Sequence, residues 1–558
     1  MTEGQDTILE RIEAELLRPG GYFATTDEEI LGERMRVFTQ RAGSMRELFE
    51  RSAAFGDKEY VVFGPRRFTY AEHARQVRLL ARELRERWGV QPGDRVGILA
   101  ANCPEWVLTF WAATATGALP VGLNGWWAGP EIAAALEDVR PRVLVGDTKR
   151  LDRLPARPDG CRVVHVDEIA ALVAAPGDAE LPAARIAEDD PAAILFSSGT
   201  TGRAKGIVAS HRGIIALAGV QVLHGARASM LESALGVPPG PADGAGLVST
   251  PLFHVSGLYA GVVTRLAVGA RTVWTTGRFD AGEVLALIER ERVTGWGPTG
   301  TMMRRVLEHP DLERYDRSSM RYLGLGGSPI APELMKQVRE AFPNARVASA
   351  VGYGQTECGA LATIAFGEDL TRFPGTVGRP LPTIDVEIRD DSGDTVADGE
   401  VGEVCVRSPL VMLGYWERPE ASATRFWPGR WLRTGDVGHM RGGRLWIDAR
   451  RDDLILRGGE NIYPAEIEHT LERWPGVAES VVYGRDDDEL GQVPVAVVVP
   501  ELQATVDPTA LRAWVSEQLA YFKVPVEIIV QREALPRNAT GKVLRFAVRE
   551  AREGSPRG

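Results

Sequence analysis

The chain has 558 residues, 44% hydrophobic and 25% charged, and carries a formal net charge of -11 at pH 7. That composition excludes a disordered or fibrous polymer and supplies apolar material for several domain-sized cores. The acidic balance argues against nucleic-acid binding, which needs a basic face to displace counterions from phosphates.

The N-terminal stretch MTEGQDTILERIEAELLRPGGYF places acidic residues at helical spacing and lacks a basic segment followed by an apolar one, so no secretory signal is read from it. From residue 60 to about 300, strand-like runs (RVGILAA, RVLVGD, AAILF, ARTVWTT) alternate with helix-like ones (YAEHARQVRLLARELRERWG, AGEVLALIERERV). This alternation predicts an α/β fold with a largely parallel sheet. The longest apolar stretch, WVLTFWAATATGALPVGL, contains three threonines and is too short and polar to span a membrane; a buried helix leading into a strand is expected. The GWWAG segment (125–129) is expected to pack at the edge of the large domain.

After about residue 379 the pattern changes to short strands broken by Gly and Asp, as in TIDVEIRDDSGDTVADGEVGEVCVRSP, which predicts an antiparallel β section. Beyond GGRLWIDARRDDLILRGG, the segments AEIEHTLERW, VAESVVYG, VPVAVVVP, PTALRAWVSEQLA and VEIIV predict a compact α+β unit. Cys103, Cys161, Cys358 and Cys405 stand far apart with no CxxC or Cys/His spacing, so reduced thiols in a cytoplasmic enzyme are expected.

One stretch stands out chemically. SSGTTGRAKG (197–206) follows the apolar run AAILF and concentrates hydroxyls, glycine backbone and one lysine, the groups that wrap phosphate oxygens. It is not a Walker loop: Gly199, Gly202 and Lys205 are spaced differently, and Gly206 follows the lysine where Ser or Thr is required. Alone, such a loop reads equally well as a linker. Downstream stand GGSP (326–329), GYGQTECG (352–359), RTGD (433–436), ARRDDLILRGGENIYPAEIE (449–468) and PRNATGKVLR (536–545). In this order and over nearly all of the chain, these segments resemble the adenylate-forming superfamily of acyl-CoA synthetases, aryl-acid ligases, luciferases and peptide-synthetase adenylation domains. The resemblance is strongest to bacterial fatty-acid or medium-chain acyl-CoA ligases.

The resemblance implies two half-reactions: a carboxylate attacks the α-phosphorus of Mg-ATP, releasing pyrophosphate, and a thiol then displaces AMP. It implies an AMP-binding N-terminal domain over residues 1–451, α/β with a β section, and a small mobile α+β C-terminal domain over 452–558. Ser197, Ser198, Gly199, Thr200, Thr201, Gly202 and Lys205 would hold the β- and γ-phosphates by charge-assisted hydrogen bonds. Ala204 stands where the family usually has Pro, loosening the loop by ~0.5 kcal/mol without removing a phosphate donor.

Glu357, with Thr200, occupies the Mg²⁺ position, since one or two carboxylates plus substrate phosphates usually hold this ion. Tyr353 and the turn of Gly326, Gly327 and Ser328 would flank the adenine, with Gly352, Gly354 and Gln355 beside them, and Thr356 would touch the α-phosphate. Asp436 matches the ribose ligand, because one carboxylate accepts from both hydroxyls. Arg450, behind Ala449 where the family has Gly or Asp, would lie near the ribose, and Asp452 would be the hinge. Lys542 matches the cation brought to the α-phosphate and the attacking carboxylate. Arg457, Gly458 and Gly459 would line the pantetheine tunnel after the small domain swings.

PLFHVSGL (251–258) resembles the start of the family's acyl pocket. Amino-acid-activating members have an Asp where this chain has His254, so an ammonium would lack its counter-ion. His254, Val255, Gly257, Leu258 and Trp296, with Gly297, Thr299, Gly352, Ala360 and Leu361, suit an aliphatic or aryl tail held at ~0.8 kcal/mol per CH₂. The expected set is ATP, Mg²⁺, coenzyme A and a small carboxylic acid, with no nucleic acid and no membrane span. A carrier-protein thiol or another nucleophile, including nitrite-activating, diazotase-like chemistry, is the alternative. A luciferase-like oxidation and a non-catalytic nucleotide-binding protein are the rival readings; the latter would be expected to lack Glu357 or Lys542.

Overall fold

The apolar runs Arg95–Leu99, Leu119–Gly122, Val143–Gly146 and Pro191–Phe196 fold as neighbouring parallel strands in a computed structural model of the chain. It describes residues 5–196, 204–241, 243–327, 330–450, 453–457, 460–487, 490–538 and 541–553. These strands are almost entirely buried, and coverage on both faces is why they read as unbroken apolar runs. Arg162–His165 extends the sheet on one side. On the other, Gly206–Ser210 returns antiparallel beside Pro191–Phe196, so the SSGTTGRAKG stretch begins where one strand ends and finishes in the next.

A second sheet holds a parallel run ordered Glu59–Phe63, Arg271–Trp274, Ala245–Val248, Val293–Trp296, Tyr322–Gly326 and Ala350–Tyr353. It continues antiparallel through Thr363–Phe366, Thr376–Pro380, Arg444–Arg450, Trp431–Arg441, Val401–Arg407 and Asp385–Arg389. The alternation thus belongs to two sheets, not one, and the antiparallel section of the second begins at Thr363, ahead of the composition change near residue 379. Local periodicity reports strand and helix; which strands pair is a long-range outcome.

Several helices start where a side chain caps them. Thr69 accepts from the Glu72 N–H and Glu72 returns a bond to the Thr69 N–H, forming a capping box ahead of helix Tyr70–Arg82. Helix Pro104–Ala115, the core of the long apolar stretch, is buried at every position and leads into Leu119–Gly122 as expected. Helix His211–Ala234, capped by Ser210, is the described helix long and apolar enough to cross a membrane by length and composition, and most of it is buried. At the edge, Trp127 packs edge-on against Phe196 at 5.2 Å, while Trp126 stays 56% exposed beside Phe253.

The C-terminal segments build a further sheet of Ile455–Arg457, Glu460–Ile462, Val477–Asp487, Gly491–Pro500 and Glu527–Val530. Helices Pro464–Glu472 and Pro508–Gln518 cover one face, burying Ile467, Leu471, Leu511 and Val515 against Val482 and Val498.

Candidate active site

In open parallel sheets, loops at the carboxyl ends of the strands form the ligand crevice. Here strands Tyr322–Gly326 and Ala350–Tyr353 end at a cavity of about 1540 Å³, lined also by the antiparallel section and by the C-terminal unit. It brings together Lys205, Gly326, Gly327, Gly352, Tyr353, Gly354, Gln355, Thr356, Glu357, Asp436 and Lys542. His254, Val255, Gly297, Thr299, Ala360 and Leu361 line it as well. At Gly326 a Cβ would stand 2.7 Å from the Gly352 carbonyl oxygen, so the two strand ends approach only because no side chain intervenes.

Glu357 lies in the short turn Thr356–Cys358 and is buried. The Tyr415 hydroxyl donates to Glu357 Oε1 at 3.2 Å, and Lys205 Nζ sits 5.1 Å from the centre of the Tyr415 ring. One tyrosine therefore links the lysine of SSGTTGRAKG to the acidic residue of GYGQTECG. Burial and the Glu357 charge push the Tyr415 phenol up to about 12, keeping it a neutral donor.

Asp436 is also buried, and Tyr353 donates to its Oδ2 at 2.8 Å. The Asp436 N–H donates to Thr434 Oγ1 at 3.0 Å. The Thr434 carbonyl accepts from Gln355 Nε2 at 3.0 Å and from the Arg425 guanidinium at 3.2 Å. The GYGQTE and RTGD motifs are thereby tied into one polar network. Burial, with the Asp436 charge behind it, holds the Tyr353 phenol well above its ordinary range, so it donates rather than ionises. Strand pairing sets Arg450 directly opposite Asp436.

Lys542 belongs to a tight loop. Its N–H donates to Asn538 Oδ1 and its carbonyl accepts from the Asn538 N–H, both at 2.9 Å. Gly541 has φ +82°, and a Cβ there would lie 3.3 Å from Thr299 Oγ1 and 3.4 Å from Thr301 Oγ1. Thr301 donates to the Gly541 carbonyl at 3.2 Å, while Thr299 caps helix Gly300–Leu307 by accepting from the Met302 N–H. The C-terminal loop is seated on that helix start, which puts Lys542 on the wall of the same cavity as Glu357 and Asp436.

Three expected pocket residues do not reach the cavity. Side chains alternate along a strand: Gly295 and Gly297 line the cavity, so Trp296 faces the other way, buried with Nε1 donating to Ser249 Oγ at 2.8 Å. Leu258 points into the main core, and Gly257 is packed so that a Cβ would meet the Pro251 carbonyl oxygen at 2.3 Å. Arg457 lies away from the cavity, its guanidinium donating to the Phe522 carbonyl at 2.6 Å. Ser197, Ser198, Gly199, Thr200, Thr201, Gly202, Ser328, Asp452, Gly458 and Gly459 lie outside the described residues, as does the Arg450 side chain. Sequence reasoning gave no role to Tyr415, Arg425 or Thr434: the first two lie outside the quoted motifs, Tyr415 meeting Glu357 58 residues away, and Thr434 was read only as part of RTGD.

His254 lines the cavity with Nδ1 2.9 Å from Ser256 Oγ, and burial lowers its pKa to about 4, leaving the imidazole neutral. Burial lowers His211 to about 4 as well. Between an unfolded value of about 6.5 and these folded values, the unfolded chain binds protons that the native chain refuses. This contribution to stability is complete above pH 6.5 and is lost as pH falls through about 4. The urea midpoint is therefore expected to drop from pH 7 to pH 5, and to drop less in His254→Gln; an equal drop in both would contradict a neutral His254.

Residues 48–416 match the AMP-binding enzyme family model, and residues 466–542 match that of the AMP-binding enzyme C-terminal domain. The chain is 36% identical over 482 residues to a feruloyl-CoA synthase of an Amycolatopsis species, covering 86% of this chain and 93% of that protein. It is 34% identical over 505 residues to an indoleacetate–CoA ligase of Aromatoleum aromaticum, covering 88% and 95%. ATP-bound MatB from Rhodopseudomonas palustris superposes with a TM-score of 0.80 at 28% identity, over 92% of this chain and 99% of that one. The amide bond synthetase McbA from Marinactinospora thermotolerans does so with a TM-score of 0.78 at 30% identity, over 91% and 100%. The chain belongs to the AMP-binding enzymes, the adenylate-forming superfamily whose ordered motifs its sequence carries.

Proposed function

We propose that the protein is an AMP-forming acid–CoA ligase. The observation that carries this reading is the convergence of Lys205, Glu357, Asp436 and Lys542 on one cavity that also has an apolar arm. In the first half-reaction a carboxylate oxygen bonds to the α-phosphorus of ATP while the bond to pyrophosphate breaks. Lys542, a cation on the wall of the cavity that Thr356 also lines, offsets the repulsion between the incoming carboxylate and the phosphates and stabilises charge on the α-phosphoryl oxygens. Lys205 holds the departing pyrophosphate, and Asp436, steadied by Tyr353, accepts from the ribose hydroxyls. In the second, the coenzyme A sulfur bonds to the acyl carbon, the C–O bond to AMP breaks, and the thiol proton passes to solvent.

Glu357 fits a Mg²⁺ site: Tyr415 engages one carboxylate oxygen, and the other has no protein partner among the described residues. When bound, Mg²⁺ would neutralise phosphate charge, and Glu357, with Thr200, would hold it. Residues 1–451 would form the body and 452–558 a mobile domain turning at Asp452, presenting Arg457, Gly458 and Gly459 to the pantetheine arm.

An apolar fatty or aryl acid is favoured. At Gly297 the cavity wall is open, the nearest atom to a Cβ there being the Gly324 carbonyl oxygen at 3.6 Å, which leaves room for a ring in keeping with the feruloyl and indoleacetate names of the relatives. Pyrophosphate and AMP release against fatty acids, benzoates, cinnamates and nitrite, with and without coenzyme A, tests this. Pyrophosphate release with an apolar acid, and AMP release that depends on coenzyme A, is the expected result. AMP release independent of added coenzyme A overturns the acceptor, and no pyrophosphate with any acid overturns the ligase.

A further inference from the structure

Away from the nucleotide end, the cavity runs along helix His211–Ala234 past His224 and Ala228 and across the sheet at Gly295 and Tyr322. Gly246, Gly295 and Tyr322 are register partners on three adjacent parallel strands. Over this row lies Arg265: a Cβ on Gly246 would stand 2.7 Å from its Nε, and one on Gly295 3.0 Å from a terminal nitrogen. Two neighbouring strand positions are bare where the guanidinium rests, and Arg265 lines the cavity.

Among the described residues no carboxylate pairs with Arg265, and no acceptor meets its guanidinium N–H groups. Burial pulls its pKa below the ordinary value, opposed only by the phenols of Tyr322 and Tyr70. An arginine stays charged in such surroundings, and a desolvated charge without a partner is costly. Glu232, further along the same wall, feels Arg321 instead.

A second unpartnered donor lies against the same Tyr322. His224 Nδ1 accepts from the Arg227 guanidinium at 3.2 Å, so in the neutral ring Nε2 carries the proton. That nitrogen is buried without a hydrogen-bond partner, and the ring packs edge-on against Tyr322 at 5.8 Å. The row at Tyr322 lies four residues below Gly326, a depth of ~13 Å at the rise of a parallel strand.

We propose that the acid activated here carries a second carboxylate at its far end, bound by Arg265 with the His224 Nε2–H beside it. The inference rests on the reading of this cavity as the acyl site of a ligase and names the substrate class within it. Arginine binds a carboxylate bidentately, and a site built to bind such a group discriminates strongly against an analogue without it. Pyrophosphate release would be measured for α,ω-diacids and methyl-ended acids of matched length, from about C6 to C12 to bracket the ~13 Å depth. Wild type is expected to prefer a diacid by ~10- to 100-fold in kcat/KM, with the ratio collapsing in Arg265→Met and partly retained in Arg265→Lys.

The wild-type ratio requires no variant, so a misfolded mutant leaves the inference open to refutation. A diacid no better than its methyl-ended match, or a ratio unchanged in folded Arg265→Met, overturns it. A keto-ended acid equal to the diacid overturns the choice of an anion. Release with methyl-ended acids alone removes only this inference, whereas no release with any acid removes the ligase reading as well.

Discussion

Replacing Lys542 by alanine is expected to slow acyl-AMP formation by ~10² to 10³, the ~3 kcal/mol typical of removing one group aimed at developing charge. Thioester formation from supplied acyl-AMP is expected to persist, because in the proposed turn of the C-terminal unit at Asp452 this lysine would leave the reacting atoms. The geometry supports so selective an effect. Lys542 reaches the cavity from a loop pinned by Asn538 and by the contact of Gly541 with Thr301. Truncating the side chain removes the cation and leaves those backbone contacts intact. Single-turnover pyrophosphate release and a separate thiolysis assay distinguish the half-reactions; equal loss in both would refute the role.

Asp436→Asn is expected to raise the KM for ATP by about 10- to 150-fold, the equivalent of ~1.5–3 kcal/mol for a hydrogen bond to a charged group. Asparagine keeps the shape of the carboxylate but loses its charge, and its amide can turn a donor toward the Tyr353 hydroxyl or the ribose. Tyr353→Phe removes the hydroxyl whose 2.8 Å bond steadies Asp436 while leaving the carboxylate in place, and is expected to cost about 1 kcal/mol, roughly fivefold in the same KM. The contrast is the test: if phenylalanine at 353 weakens ATP as much as asparagine at 436, the carboxylate does not itself bind the ribose. A ribose contact made equally in ground and transition states moves KM more than kcat.

Much of the architecture was legible in the chain. Pro104–Ala115 followed by Leu119–Gly122, the strand pair Asp385–Arg389 and Val401–Arg407, and the C-terminal α+β segments all lie where patterning puts them. What failed was pairing and facing. The alternation between residues 60 and 300 looked continuous yet feeds two sheets, and Trp296, adjacent to true pocket residues, points to the opposite face. One residue of strand phase decides that, and apolar neighbours on both sides conceal it.

The sequence by itself determined the chemistry. Glycines, hydroxyls, Lys205, Glu357, Asp436 and Lys542 sit in short segments whose order is meaningful without coordinates, because each segment meets a local demand for close backbone, charge or a donor. Only the tertiary structure decided which groups complete them. Tyr415 reaches Glu357 across 58 residues of chain and Tyr353 reaches Asp436 across 83. Arg265, one charge in the apolar run LYAGVVTRLAVGA, becomes a candidate substrate ligand only where two strand glycines fall beneath it. Such contacts depend on register and on which face a side chain takes, and these are settled when distant elements pack together.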